Sequence, residues 1–219
     1  MSISTLFFDL DGTIYPADNG IWDRVSDLMN AYIHKRLDLP MHQVPALRNK
    51  YFQEYGTTLK GLLTNHSVDP HEYLDFVHDI DYPAYLKPDR ALDAMLSTMP
   101  QRKWVLTNAS REHAEQVLKH LQVADHFDGI IDVVDMQFDN KPHPSAYHLA
   151  LQRAGDPAPQ DCLFIDDVPH NLDAAREIGL ATVLVTARTE IDTPHLIIPD
   201  IYALPRALQA LENVGADPL

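Results

Sequence analysis

The residues Asp9-Leu10-Asp11-Gly12-Thr13 place two carboxylates two positions apart, directly after the apolar run Thr5-Leu6-Phe7-Phe8. Alternate side chains of an extended segment point the same way, so Asp9 and Asp11 are expected to face one site. Crowded carboxylates repel unless a cation lies between them, and hard oxygen ligands suit Mg²⁺. An aspartate so placed is also able to attack phosphorus and form a covalent aspartyl-phosphate. Gly12 permits the sharp turn that follows. The same pentapeptide would also serve as an acidic turn that caps a helix. Phe164-Ile165-Asp166-Asp167 repeats the pattern of an apolar run meeting paired acids, and two such pairs approach what a divalent cation needs. Trp104-Val105-Leu106-Thr107-Asn108 ends in a hydroxyl and an amide, which donate hydrogen bonds to a phosphoryl oxygen without adding charge. Lys141-Pro142-His143-Pro144 offers a cation for the same oxygens, with His143 read as a residue at the start of a helix.

These groups need a scaffold that gathers strand ends. Short apolar runs at Thr5–Phe8, Lys103–Thr107, Gly129–Val134, Cys162–Ile165 and Ala181–Thr186, with a sixth at His195–Ile198, read as strands buried on both faces. Helical stripes alternate with them. Ser110 caps one bearing Ala114, Val117, Leu118 and Leu121, Pro144 opens another, and Asn171–Ile178 stops at Gly179. The alternation predicts an α/β fold, a Rossmann-like doubly wound parallel sheet in which each helix crosses between two strands. Ligands of such sheets collect at the carboxyl ends of the strands, where all four chemical groups fall.

The interval from Pro16 to Lys87 breaks the alternation. It carries successive helical stripes, beginning with Trp22, Val25, Leu28, Met29, Tyr32 and Ile33, with breaks at Leu39-Pro40, Gly56 and Asp69-Pro70. We therefore expect a core of residues 1–15 and 88–219 and an inserted α-helical cap at 16–87. The chain of 219 residues has a net charge of −15, of which the insert carries −3 and the remainder −12. So acidic a surface repels nucleic acid polymers and anionic lipid. The lone Cys162 excludes an intramolecular disulfide and a multi-cysteine zinc site. The N-terminal residues lack the features of a signal peptide, and no apolar run is long enough to span a bilayer. A cytoplasmic protein without membrane contact, monomeric or homodimeric, is the expectation.

The order Asp-x-Asp-Gly-Thr, strand-Thr-Asn, Lys-Pro, Asp-Asp resembles the four-motif signature of the haloacid dehalogenase superfamily, over essentially the whole chain. The helical insert between the first and second motifs resembles that superfamily's C1 cap (subfamily IA). The segments 7–16, 55–62, 86–89 and 102–109 resemble its pyrimidine 5′-nucleotidase branch. The resemblance implies a Mg²⁺-dependent phosphatase acting on a small phosphate ester, a nucleoside 5′-monophosphate in the narrower branch. It implies Asp9 as nucleophile and Asp11 as general acid and base. Thr107 and Lys141 would be phosphoryl contacts, with Asp166 orienting Lys141 or the metal waters. Asp9, the Asp11 main-chain carbonyl and Asp167 would be Mg²⁺ ligands, with the roles of Asp166 and Asp167 open to exchange. Gly12, Thr13 and Asn108 would adjoin the substrate and Asn171 would support the site. In the cap, Thr57, Thr58 and Lys60 are candidates for reading the leaving group, although the threonines equally suit helix capping. Rival readings are a phosphatase of sugar phosphates or phosphoglycolate, a sugar-phosphate mutase, or a non-catalytic scaffold. A dehalogenase would need no acid at position 11.

Overall fold

The computed structural model describes residues 2–188 and 191–214. Six strands, β1 (Thr5–Phe8), β2 (Arg102–Leu106), β3 (Gly129–Ile131), β4 (Cys162–Asp166), β5 (Ala181–Val185) and β6 (Leu196–Ile198), make one sheet in the order β3-β2-β1-β4-β5-β6. Every pairing is parallel, with Phe8 opposite Val105 on one side and Ile165 on the other. The chain works outward from β1 to β3, then returns to lay β4 against the free side of β1. That reversal makes the carboxyl ends of β1 and β4 the topological switch point, where open sheets leave a crevice for ligands.

Alternation along each central strand sorts the core into two layers. Leu6, Phe8, Val105, Leu163, Ile165 and Val183 pack against α6 (Arg90–Ser97), α7 (Arg111–Leu121) and α10 (Leu204–Val214). Phe7, Leu106, Phe164 and Leu184 face α8 (Pro144–Arg153) and α9 (Pro169–Ile178). Burial on both faces is why the strands read as unbroken apolar runs. Cys162, at the start of β4, is wholly buried, and its thiol is pushed up to about 12 by burial and then by the charge of Asp161.

Between β1 and α6 stand α1 (Ile21–Leu37), α2 (Val44–Tyr55), α3 (Thr58–Asn65), α4 (Pro70–Val77) and the single turn α5 (Tyr82–Tyr85). Their ends fall at the sequence breaks: Gly56 closes α2 at φ 79°, and Asp69 accepts the His71 and Glu72 amides ahead of Pro70. Inside this group Arg48 donates to Ser26 O, Ser26 Oγ and Asn30 Oδ1 at 2.8–2.9 Å. The buried hydroxyls of Tyr32 and Tyr73 have no partner among the described residues.

Two expectations change. The strand expected over Gly129–Val134 ends at Ile131, because the Asp132 carboxylate takes the Arg111 and Asp135 amides and turns the chain. The expected crossover helix is missing between β5 and β6, where the described residues of the connection hold no helix. Among the described residues no helix is long and apolar enough to cross a membrane.

Candidate active site

Lys141 is the centre of the switch point. It arrives from the loop after β3, is 1% exposed, and its ammonium lies 2.6 Å from Asp9 Oδ1 and 2.9 Å from Asp166 Oδ2. The Phe164 ring lies beside it, 5.1 Å from Nζ to the centroid. Burial pulls the ammonium toward neutrality, but the charges of Asp166 and Asp9 outweigh it and push the pKa up. Asp9 follows β1, its amide bound to Ile165 O at 2.8 Å across the β1–β4 seam. Asp166 ends β4 with both oxygens committed. Oδ1 accepts the Val168 amide at 2.7 Å, and Oδ2 accepts Asn171 Nδ2 at 3.0 Å besides Lys141. Asn171 is in turn fixed by Tyr147, whose hydroxyl donates to its carbonyl.

Asp167 is the contrasting neighbour. No side chain among the described residues donates to its carboxylate, and its pKa is pushed up to about 7, first by burial and then by the charge of Asp166. Asp9 is likewise pushed well up, by burial ahead of the opposing Lys141 charge, with Asp166, Asp167 and Asp11 adding to the rise. One oxygen each of Asp9, Asp166 and Asp167 lie within 4.8 Å of one another. One lysine among four acids leaves excess negative charge, and a hard divalent cation fits both that charge and the oxygen donors. Asp166 already accepts three hydrogen bonds and Asp9 one, from Lys141, whereas no side chain among the described residues donates to Asp167. Gly12 makes room for the Asp167 carboxylate: at φ 87°, a Cβ here would lie 2.5 Å from Asp167 Oδ2.

Asp11 does not join this carboxylate cluster. Its Oδ1 accepts hydrogen bonds from the Tyr15 hydroxyl and from His113 Nε2, the latter at 2.8 Å. Burial acts to raise its pKa, but the His113 ring, with the bonds from His113 and Tyr15, outweighs burial and leaves the carboxyl below its ordinary range. Oδ2 has no protein donor among the described residues.

Thr107, just past β2, is 1% exposed; its Oγ1 accepts the Ala109 amide at 3.0 Å, which leaves the hydroxyl hydrogen free to donate. Thr13 is buried and its hydroxyl has no partner among the described residues. Asn108, expected as a phosphoryl contact, instead clamps the Lys141 peptide, donating to its carbonyl and accepting from its amide, both at 2.9 Å. The three cap positions also have other employment. Thr57 caps α3 by accepting the Lys60 amide and donates to Asn140 Oδ1 at 3.1 Å. Thr58 is buried in the first turn of α3. Lys60 reaches Asp139 Oδ1 at 2.7 Å. Together they seat the α2–α3 junction on the loop that delivers Lys141. His143 caps α8, as expected of a residue at a helix start.

His113 escaped notice in the sequence because the twelve histidines are scattered. The signal was its place on the apolar stripe of a capped helix, one position before Ala114 and four before Val117.

The sequence similarities agree with this geometry. Residues 3–179 match the family model of a haloacid dehalogenase-like hydrolase. "Phosphate metabolism protein 8" of Saccharomyces cerevisiae is 29% identical over 192 residues, 81% of this chain and 60% of that protein; the chain thus spans well under two thirds of that relative's length. "Pyrophosphatase PpaX" of Bacillus cereus (strain Q1) is 24% identical over 189 residues, covering 85% of this chain and 84% of its own. Among solved structures, a β-phosphoglucomutase from Clostridium difficile superposes with a TM-score of 0.68 at 18% identity, over 97% of this chain and 98% of its own. Matched over most of its length, the chain belongs to the haloacid dehalogenase-like hydrolases.

Proposed function

We propose that this protein is a Mg²⁺-dependent phosphomonoester hydrolase working through an aspartyl-phosphate, with nucleoside 5′-monophosphates as the favoured substrates. The observation that carries the reading is the buried Lys141 ammonium shared by Asp9 and Asp166, beside Asp167, to whose carboxylate no side chain among the described residues donates. Asp9, Asp167 and the Asp11 carbonyl would hold Mg²⁺, which when bound neutralises phosphate and acid charge together. The Asp9 carboxylate attacks phosphorus while Asp11, ionised before the ester binds, gives the departing alkoxide a proton taken up with the ester. In the second half, Asp11 takes a proton from the water that displaces Asp9 from phosphorus, which restores both groups. Lys141 and the Thr107 hydroxyl bind the phosphoryl oxygens, with Asp166 holding the lysine in line. Residues 16–87 act as the cap over this site, and Thr57 and Lys60 tie it to the Lys141 loop rather than read the leaving group.

The acid at position 11 separates this reading from a dehalogenase. A pyrophosphatase is the second reading, favoured by the similarity to the Bacillus protein over most of both chains. The test is phosphate release from UMP, CMP, AMP, GMP, sugar phosphates, phosphoglycolate and pyrophosphate, with and without Mg²⁺, for wild type and Asp9→Asn. Mg²⁺-dependent release that vanishes in the variant, greatest with UMP and CMP, is expected. Pyrophosphate as the best substrate would install the second reading, and no release from any ester or from pyrophosphate would overturn both.

A further inference from the structure

Asp11 is held from a direction that the phosphoryl chemistry does not explain. His113, 102 residues further along the chain and 1% exposed, stands in the first turn of α7. Its Nδ1 is 2.9 Å from the Tyr82 hydroxyl, and its ring stacks on His78 with centroids 4.5 Å apart and planes 25° off parallel. Ser110, the cap of α7, touches both: its Oγ accepts the His113 amide at 3.3 Å and lies 3.2 Å from His78 Nδ1. A carboxylate oxygen only accepts, so His113 carries a hydrogen on Nε2 and aims it at Asp11 Oδ1, while the Tyr82 hydroxyl lies between His113 Nδ1 and the His78 carbonyl, to which it donates at 3.3 Å. Tyr15 donates to that same oxygen. Two donors on Oδ1 fix the plane of the carboxyl and leave Oδ2 as the oxygen able to exchange a proton. Tyr82 and His78 lie in the segment between β1 and β2 that forms the helical insert, whereas His113 lies in a core helix.

We propose that His113 is the positioning residue of Asp11, and that Tyr82 and His78 lock it there, so that the insert sets the aim of the general acid. This rests on the hydrolytic reading above. His113 touches neither substrate nor phosphorus; it acts through the orientation of Asp11. In the first half-reaction the Asp9–phosphorus bond forms, the phosphorus–ester oxygen bond breaks, and the proton on Asp11 Oδ2 passes to that oxygen. A misaimed Asp11 therefore matters most when the leaving alkoxide is strongly basic and least when it is stable unprotonated.

The experiment compares kcat/KM of wild type, His113→Ala, His113→Gln and Tyr82→Phe on an alkyl phosphate and on p-nitrophenyl phosphate, with Mg²⁺, after thermal melts confirm folding. His113→Ala is expected to lose about 10- to 100-fold on the alkyl ester, but less than about 3-fold on the nitrophenyl ester. His113→Gln, whose amide nitrogen can reach the position of Nε2, should recover most of the loss. Tyr82→Phe, which removes one hydroxyl and leaves packing intact, should show the same leaving-group bias at about 2- to 5-fold. Equal losses on both esters, or no loss in either variant, would overturn the proposal; should His113→Ala not fold, Tyr82→Phe decides it alone. An inactive wild type would instead overturn the hydrolase reading.

Discussion

The strand-end crevice buries a cation and the helical insert half-buries one, and they treat it in opposite ways. In the crevice, Lys141 meets two carboxylates brought from 132 and 25 residues away; the Asp166 carboxylate also accepts from Val168 and Asn171, and Asp9 is tied by its own amide, which donates to the Ile165 carbonyl. In the insert, Arg48 donates to a carbonyl, a hydroxyl, an amide oxygen and the Met29 sulfur, 18 to 22 residues away, and its own Nε and the buried Tyr32 and Tyr73 hydroxyls have no partner among the described residues. A buried charge with long-range ionic partners fixes the geometry of several elements at once, and losing one partner strands the other. A half-buried charge held by neutral groups links only the two adjacent helices α1 and α2. The core is thus built for one arrangement, whereas the insert tolerates repacking.

That contrast is sharpest at Lys141. Lys141→Met should abolish phosphate release and lower stability by about 3 kcal/mol in urea melts without Mg²⁺, because Asp9 and Asp166 remain buried and unpaired. Stability within about 1 kcal/mol of wild type would break the comparison. Asp167 tests the same crevice with the opposite sign. A carboxyl whose folded pKa is raised to about 7 favours its protonated form, so the native state loses stability as pH climbs from the unfolded value near 4 to about 7. In Mg²⁺-free buffer Asp167→Asn should therefore be more stable than wild type at pH 8, by about 1–3 kcal/mol, with the difference shrinking at pH 5. Added Mg²⁺ should stabilise wild type and leave the variant nearly unmoved. In the insert, Arg48→Met should cost about 1 kcal/mol by melts and leave kcat on small esters unchanged. A large fall in kcat would show that the insert is wired to the chemistry through α1 and α2. Lys60→Ala should have the smallest effect, under about 0.5 kcal/mol, since its pair with Asp139 is a third to a half exposed; a urea melt at high salt and low salt checks it.

The legibility of this fold followed the same division. Strands buried on both faces announce themselves as apolar runs, and their acidic ends stood out because few other reasons put paired aspartates there. Ser110, Asp69, Pro144, Gly56 and Gly179 marked helix ends because backbone donors and left-handed turns restrict residue type. That the described residues between β5 and β6 hold no helix could not be read, since adjacency of strands does not reveal what joins them. Nor could the partners of Asn108, Thr57 and Lys60: an amide, a hydroxyl and an ammonium suit a protein oxygen as well as a substrate oxygen, and only proximity selects. His113 belongs with these, because its partner Asp11 is close in space and remote in sequence.

Cys162 gives the molecule a reporter of its own. As its one thiol, sealed at the start of β4 with a pKa near 12, it has almost no thiolate in the native state to meet an alkylating or oxidising reagent. Its side chain leaves the sheet on the face covered by α8 and α9, so labelling requires that layer to lift from the sheet. The rate at which the intact protein takes up a thiol reagent is therefore a clock for opening of the layer over the sheet, and any ligand that binds only the closed core should slow it.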